Sequence, residues 1–425
     1  MNRVLIGFLV LFLVNLNLSS QNFKKDQETF LEAEYFLMFE DYLDALPYYL
    51  SLYRTYPENY NIAYRIGLCY LGIAGQKHLA IEYLEKAALN SEASYQEGSL
   101  RQEKAPYTAW YFLGNAYRIN YQFQKAKEAY KNYLETLMED DTDNILFIQH
   151  QIKVCDNAGE LMDDPVDFEE INAGDNFNDA NSNFNPVVSS DGSSFAFMSS
   201  LKFYDAVFIS RREKNRWSSP VNITPELKSD GDLYISCLAD RGSTLYLSRD
   251  DDFDSDIYIS SFDGITWSPA EALPAPINTE NWESHAFVTG DGSMMIFSSD
   301  RPGGMGGLDL YISYKDAGGQ WGQPVNLGPE INTPFNEDRA FLVNDGRRLF
   351  FSSQGHFNMG GFDLFRADKM ENDKWSKPEN LGYPLNTSDD DIFFMPLDEG
   401  QTGYISVFRE GKGYGKEDIY LIKFK

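Results

Sequence analysis

Residues 285–326 read HAFVTGDGSMMIFSSDRPGGMGGLDLYISYKDAGGQWGQPVN, four strand-sized apolar runs separated by turn residues. His285–Val288 and Met294–Ser298 flank Asp291-Gly292, a pair that favours a tight hairpin because glycine reaches positive φ without a Cβ clash. A Gly-rich segment then leads to Asp309–Ser313, and a Gly-Gly turn leads to Trp321 and Val325-Asn326. The same order recurs along the chain. Gly192, Gly242, Gly292, Gly346 and Gly400 fall 50, 50, 54 and 54 residues apart, and Trp217, Trp267, Trp321 and Trp375 fall 50, 54 and 54 apart. Asp205, Asp256, Asp309, Asp363 and Asp418 run in step, each opening an apolar run. A fixed period of this size predicts a radial repeat, here a five-bladed β-propeller of four antiparallel strands per blade.

The ends of the repeat region predict closure. The fifth copy stops at Tyr420–Phe424 without an outer strand, and the missing piece stands before copy one, where Ile171–Asn178 matches the pattern of Val325–Asn332. An N-terminal strand is therefore expected to complete the last blade, which removes an exposed sheet edge.

Upstream, residues 1–20 have Arg3, the apolar run Val4–Leu16 and small residues at Ser19-Ser20, the pattern of a secretory signal peptide. Residues 26–162 change to helical periodicity. Trp110-x-x-Leu113-Gly114-x-x-Tyr117 followed by Ala126 and Tyr130 has the spacing of a tetratricopeptide (TPR) unit, and Ala63, Gly67, Tyr70 and Ala80 form a second copy. Phe36, Tyr42, Ala45, Tyr49 and Pro57 suggest a weaker first one. The expected architecture is thus multidomain α plus all-β: a TPR solenoid of about three repeats with a capping helix at 143–162, a linker at 163–170, and the propeller at 171–425. Such a solenoid offers a concave groove for a partner, or it braces the propeller.

The net charge is −29, which argues against nucleic acid or anionic lipid as direct partners. Three cysteines, Cys69, Cys155 and Cys237, lie in separate predicted elements and read as buried thiols. No Gly-x-Ser-x-Gly elbow, phosphate loop or His-Glu-x-x-His is present, so no enzyme activity is expected. The repeated aspartates are expected to accept backbone N–H groups of the preceding loops. Strand reversal places the loops between second and third strands on the same face as the connections between blades. Glu283, His285, Glu337, Arg339 and Asp391 fall on that face, which is expected to be acidic and to bind a protein partner. In copy two the loop carries Asp250, Asp252, Asp254 and Asp256, oxygen ligands at alternate positions that suit Ca²⁺, although the glycine and glutamate of an EF-hand are missing. A solvated acidic loop is the plainer reading, and no other cofactor is expected.

From Gln27 to Lys425 the order of parts resembles the exported TPR plus TolB-like (PD-repeat, WD-like) β-propeller proteins of Bacteroidota. The resemblance rests on Ser298-Ser299-Asp300-Arg301-Pro302-Gly303-Gly304-Met305-Gly306-Gly307-Leu308-Asp309-Leu310-Tyr311 and on Trp321-x-x-Pro324-Val325-Asn326-Leu327-Gly328. It implies a non-enzymatic scaffold at the periplasmic side of the outer membrane. PorE-type relatives serve type IX secretion and gliding, but they continue into an OmpA-like domain that these residues lack, so peptidoglycan anchoring is not carried over. Two other readings remain open at this point: a glycan-binding or sialidase-like propeller, whose Asp-box spacing the sequence does not meet, and a cation-binding module centred on Asp250–Asp256.

Overall fold

The computed structural model describes residues 22–214, 216–251 and 254–425, the side chains of Asp250 and Asp251 excepted. The chain divides into two units, one ending at Cys155 and one running from Asp156 to Lys425.

The first unit is helical: α1 (residues 22–38), α2 (Tyr42–Thr55), α3 (Tyr60–Gly72), α4 (Ala80–Leu89), α5 (Thr108–Ile119), α6 (Phe123–Leu134) and the start of α7 (Thr142–Asp163). Asn59 caps α3, its Oδ1 accepting the Ile62 amide at 3.0 Å. Small residues set the close contacts within pairs: Gly67 faces Leu84, Gly114 faces the Tyr130 ring, and Ala126 is fully buried. The Tyr117 hydroxyl donates to Glu85, and Trp110 is half-buried against the same core.

The expected TPR solenoid is not what these helices form. They are short and unequal, from 10 residues in α4 to 22 in α7. A 3₁₀ turn, Lys77–Leu79, interrupts the α3–α4 connection, and a two-residue parallel bridge, Ser91–Glu92 with Ala105–Pro106, stands between α4 and α5. Solenoid stacking needs a constant step from unit to unit, and these insertions break it. The Trp110–Ala126 spacing reports how one helix pair packs, not a regular array.

The second unit is a five-bladed propeller. Its first, second and third strands are Asn183–Val188, Ser194–Ser200 and Asp205–Glu213 in blade one; Leu233–Ala239, Thr244–Asp251 and Asp254–Ser261 in blade two; and Glu283–Val288, Met294–Ser299 and Asp309–Tyr314 in blade three. Blade four has Glu337–Val343, Arg348–Ser353 and Asp363–Asp368, and blade five has Met395–Leu397, Thr402–Val407 and Asp418–Phe424. Outer strands are two residues long in blades one to four, such as Val325–Asn326. Such short edges give another chain little to pair with.

Blade five is closed from upstream. Phe168–Asn172 pairs antiparallel with Asp418–Phe424, from Phe168 opposite Phe424 to Asn172 opposite Tyr420. The strand thus begins three residues earlier than the expected Ile171, and residues 173–178 form the turn that follows. Glu169 and Glu170 conceal it in sequence. In the fold Glu170 accepts Arg409 at 2.8 Å, and Phe168 packs edge-on against Phe424. All three cysteines are free and buried.

Candidate functional site

In blades three, four and five the recurring aspartate ties its loop to the blade, whereas Asp205 in blade one accepts the Tyr234 hydroxyl at 3.2 Å. Asp309 accepts the amides of Met305 (2.6 Å) and Gly306 (3.2 Å) and the side-chain amide of Asn326 (2.7 Å). Asn326 in turn accepts Asn332, whose amide spans the backbone N–H and C=O of Leu310. Asp363, Asn380 and Asn386 repeat the knot in blade four, and Asp418, Asn172 and Asn178 repeat it in blade five. Blade two keeps Asn278 but has Ala272 at the other asparagine position, and in blade one Thr224 takes the role of accepting the Val207 amide. Glycine is required where these loops lie on the next connection: a Cβ at Gly306 would sit 2.2 Å from the Phe335 carbonyl. The loops of blades three to five are therefore held at both ends.

The acids that open the first strands of blades three and four, and Asp391 just ahead of that of blade five, turn inward. Glu283 accepts the amide (2.7 Å) and hydroxyl (2.8 Å) of Thr279, the Ser299 hydroxyl (2.7 Å) and Arg301 (3.0 Å). Glu337 does the same with Thr333 and Ser353, each bond at 2.7 Å, and Asp391 with Thr387. Glu283 and Glu337 are fully buried and Asp391 is half-buried, so these carboxylates serve the fold and do not make the face acidic. Burial pushes Asp391 well above the carboxylate range, with the charge of Asp363 adding to it.

Burial also pushes the Glu337 carboxyl from 4.5 up to about 7, against the pull of Ser353 and Thr333. A raised folded-state value means that the native state holds a proton the unfolded chain releases. This contribution is whole below about pH 4.5 and is lost as pH rises through about 7. The loss is about 3 kcal/mol. The melting temperature of the native protein is expected to fall across this window relative to Glu337→Gln, which has no such proton. Parallel melting curves for the two proteins would show that Glu337 is not protonated in the fold.

Three first strands share a β-bulge that sequence reading missed. Asn185, His285 and Arg339 occupy equivalent positions with φ of 48°, 49° and 50°, each at a register shift. The left-handed turn aims these side chains at the propeller axis. Arg339 Nη1 donates to Asn185 Oδ1 at 3.2 Å, linking blade four to blade one. His285 Nδ1 lies 3.2 Å from Asp338 Oδ1, and the Ser298 hydroxyl donates to the same oxygen at 2.6 Å. Burial works to raise the Asp338 carboxyl, but His285, then Arg339 and Ser298, hold it well below the usual range. On the same inner strands and their approach, Phe287 meets Phe341 at 5.4 Å and Phe341 meets Phe393 at 5.5 Å, which packs blades three, four and five together.

The solvent side of the face carries other exposed acids, among them Asp179, Asp300 and Glu410, and beside them large apolar side chains. Each of the four described loops between second and third strands raises a large side chain into solvent: Phe203 (85% exposed), Met305, Phe357 and Tyr414 (53%). In blade two, Asp252 and Phe253 lie outside the described residues, as does the side chain of Asp250. The backbone on either side is strand, pairing down to Asp251 opposite Asp254. Asp254 and Asp256 are half-buried in its third strand. Among the described residues no group of three or more His, Cys, Asp or Glu is placed to hold a metal ion. No described helix is long and apolar enough to cross a membrane.

No protein-family profile matches the chain, and no curated protein matches it either. Structural neighbours include TolB from Acinetobacter baumannii, 16% identical with a TM-score of 0.39, matching 58% of this chain and 56% of that one. This chain thus spans little more than half of that TolB. A putative TolB from Agrobacterium tumefaciens is 14% identical, with a TM-score of 0.34 and 56% and 73% covered. An α-L-arabinofuranosidase from Lactobacillus brevis is 14% identical, with a TM-score of 0.39 and 58% and 91% covered. Likenesses this distant leave function to the geometry of the site.

Proposed function

We propose that this protein is a non-enzymatic interaction scaffold of the bacterial envelope, exported to the periplasm or the periplasmic side of the outer membrane, whose propeller docks a protein on the face of its Gly-rich loops. One observation carries the reading: Met305, Phe357 and Tyr414 stand in solvent on loops that knots hold in place, and Phe203 stands in solvent on the short turn between two paired strands. A large apolar side chain contributes about 1.5–3 kcal/mol when buried, and such anchors on a preorganised surface are what interface hot spots consist of. Glycoside hydrolysis needs two carboxyl groups facing the scissile bond. Glu283 and Glu337 are instead saturated by threonine and serine, and Asp338 is engaged by His285 and Ser298. Export rests on the pattern of residues 1–20, which lie outside the described residues. A place in type IX secretion or gliding machinery rests on the PD-type repeat resemblance.

The test is affinity capture of the tagged mature protein from envelope membranes, beside the triple variant Phe203→Ser/Phe357→Ser/Tyr414→Ser. The native protein is expected to recover a stoichiometric partner, and the variant to lose it about ten-fold or more at an unchanged melting temperature. Equal recovery by both proteins, or turnover of an arabinoside or sialoside by the native one, would overturn the reading.

A further inference from the structure

Helix α1 has two apolar faces, and only one is used. Phe30 and Ala33 are fully buried, and Leu37 packs against the same core. Leu31, Tyr35, Met38 and Phe39 recur at i, i+4, i+7 and i+8, which places them in one stripe. Together with Leu43 at the start of α2, these residues are 45–69% exposed. Tyr35 and Phe39 meet edge to face at 5.0 Å, so the stripe is already ordered. Single exposed apolar residues are ordinary on a soluble protein, but five in one patch mark an interaction surface.

The border of the stripe is predominantly acidic. From Asp26 to Tyr53 the sequence holds seven carboxylates and no lysine or arginine. Glu34 is engaged internally by Arg65, while Glu28, Glu32, Glu40 and Asp44 are exposed around the stripe. Lys24 approaches Glu28 at 4.0 Å from the preceding turn. An apolar stripe with an acidic border is the complement of a helix that is apolar on one side and basic on its flanks.

We infer that the α1 face docks a basic amphipathic helix of a protein partner, with apolar residues seated on Tyr35 and Phe39 and lysines or arginines against Glu28, Glu32 and Asp44. This surface belongs to the helical unit. A second copy of the chain suits it poorly, because two-fold pairing would set one acidic border against another.

The experiment titrates the full mature chain with a labelled synthetic peptide of about 18 residues, leucine and lysine patterned at the helical period. A scrambled peptide of the same composition and a glutamate-for-lysine version serve as controls. The patterned lysine peptide is expected to bind about ten-fold more tightly than either control, and its affinity to fall about ten-fold in Tyr35→Ser/Phe39→Ser. Glu28→Lys/Glu32→Lys is expected to weaken it about five-fold and to reduce its salt dependence. Leu43→Ser, on α2, is expected to reproduce the loss if the paired substitution perturbs α1. Equal binding of patterned and scrambled peptides, or binding indifferent to the stripe variants, would reduce the effect to general attraction by an acidic protein and overturn the inference. A concentration-dependent dimer in sedimentation that Tyr35→Ser/Phe39→Ser abolishes would also overturn it, by assigning the stripe to a second copy.

Discussion

Asn178→Ala is expected to destabilise the propeller by about 3–5 kcal/mol and to open blade five first. Asn178 is buried, and its amide makes three bonds: Oδ1 accepts the Ile419 amide at 2.8 Å, and Nδ2 donates to the Ile419 carbonyl at 3.0 Å and to Asn172 Oδ1 at 2.9 Å. Removing it strips a buried backbone N–H and C=O of their partners, and each buried group left unpaired costs about 1–3 kcal/mol. Asn332 and Asn386 make the same bonds in blades three and four, but to residues 22 positions away, whereas Asn178 reaches across 241. Re-forming a contact over the longer separation costs about 2 kcal/mol more in chain entropy. Asn332→Ala should therefore lose comparable stability without releasing the ring. Hydrogen exchange distinguishes the two: in Asn178→Ala the amides of 168–172 and 418–424 should exchange together, well ahead of the other blades. If both variants exchange alike, the Asn178 knot is one blade clasp among several and not the closure.

Much of this architecture was legible because it is written in local chemistry. Asp-Gly hairpins, strand-opening aspartates and the tryptophan turns act over a few residues each, so their recurrence reports blade number without any knowledge of packing. The aspartate role was legible for the same reason, since Asp309 bonds amides three and four residues away. The solenoid reading failed where a local signal was extended to a long-range one. Gly67 and Gly114 mark close helix pairs, but a regular stack also needs equal steps, and the bridge between Ser91–Glu92 and Ala105–Pro106 lies in a segment with no such periodicity. The axial cluster was hidden because positive φ is uncommon for any residue but glycine, and nothing beside His285 or Arg339 marks a bulge. Burial of the face acids had a signal that went unused: Thr279 with Glu283, Thr333 with Glu337 and Thr387 with Asp391 share one spacing. A threonine four residues before an acid, three times in register, shows a carboxylate committed to its own turn.

The helical unit has its own buried charge, and Glu34→Ala should expose what it costs. Arg65 on α3 is 3% exposed at its side chain and Glu34 on α1 is 19% exposed. The guanidinium meets the carboxylate fork to fork, through Nε to Oε1 and Nη2 to Oε2 at 2.6 Å. Tyr49 of α2 donates to Glu34, Tyr95 lies 2.7 Å from Arg65 Nη1, and the guanidinium sits 5.1 Å from the Phe30 ring. Burial, and then the charge of Glu34, push the Tyr49 phenol far above its usual range. Because three helices and the α4–α5 connection converge on this pair, removing the acid alone leaves a buried guanidinium without its counter-charge, with only the neutral Asn61 and Tyr95 as partners. The expected loss is about 3–5 kcal/mol. For a unit of this size that corresponds to a fall in melting temperature on the order of 10–20 °C. The double substitution Glu34→Leu/Arg65→Met takes both charges out of the core and should recover most of the loss, since desolvating a pair offsets much of its attraction. If Glu34→Ala costs under about 1 kcal/mol, water reaches Arg65 and the pair behaves as a surface contact. If the double variant is no better than the single, the cost lies in lost packing around Tyr49 and Phe30, and the isolated charge is not its source.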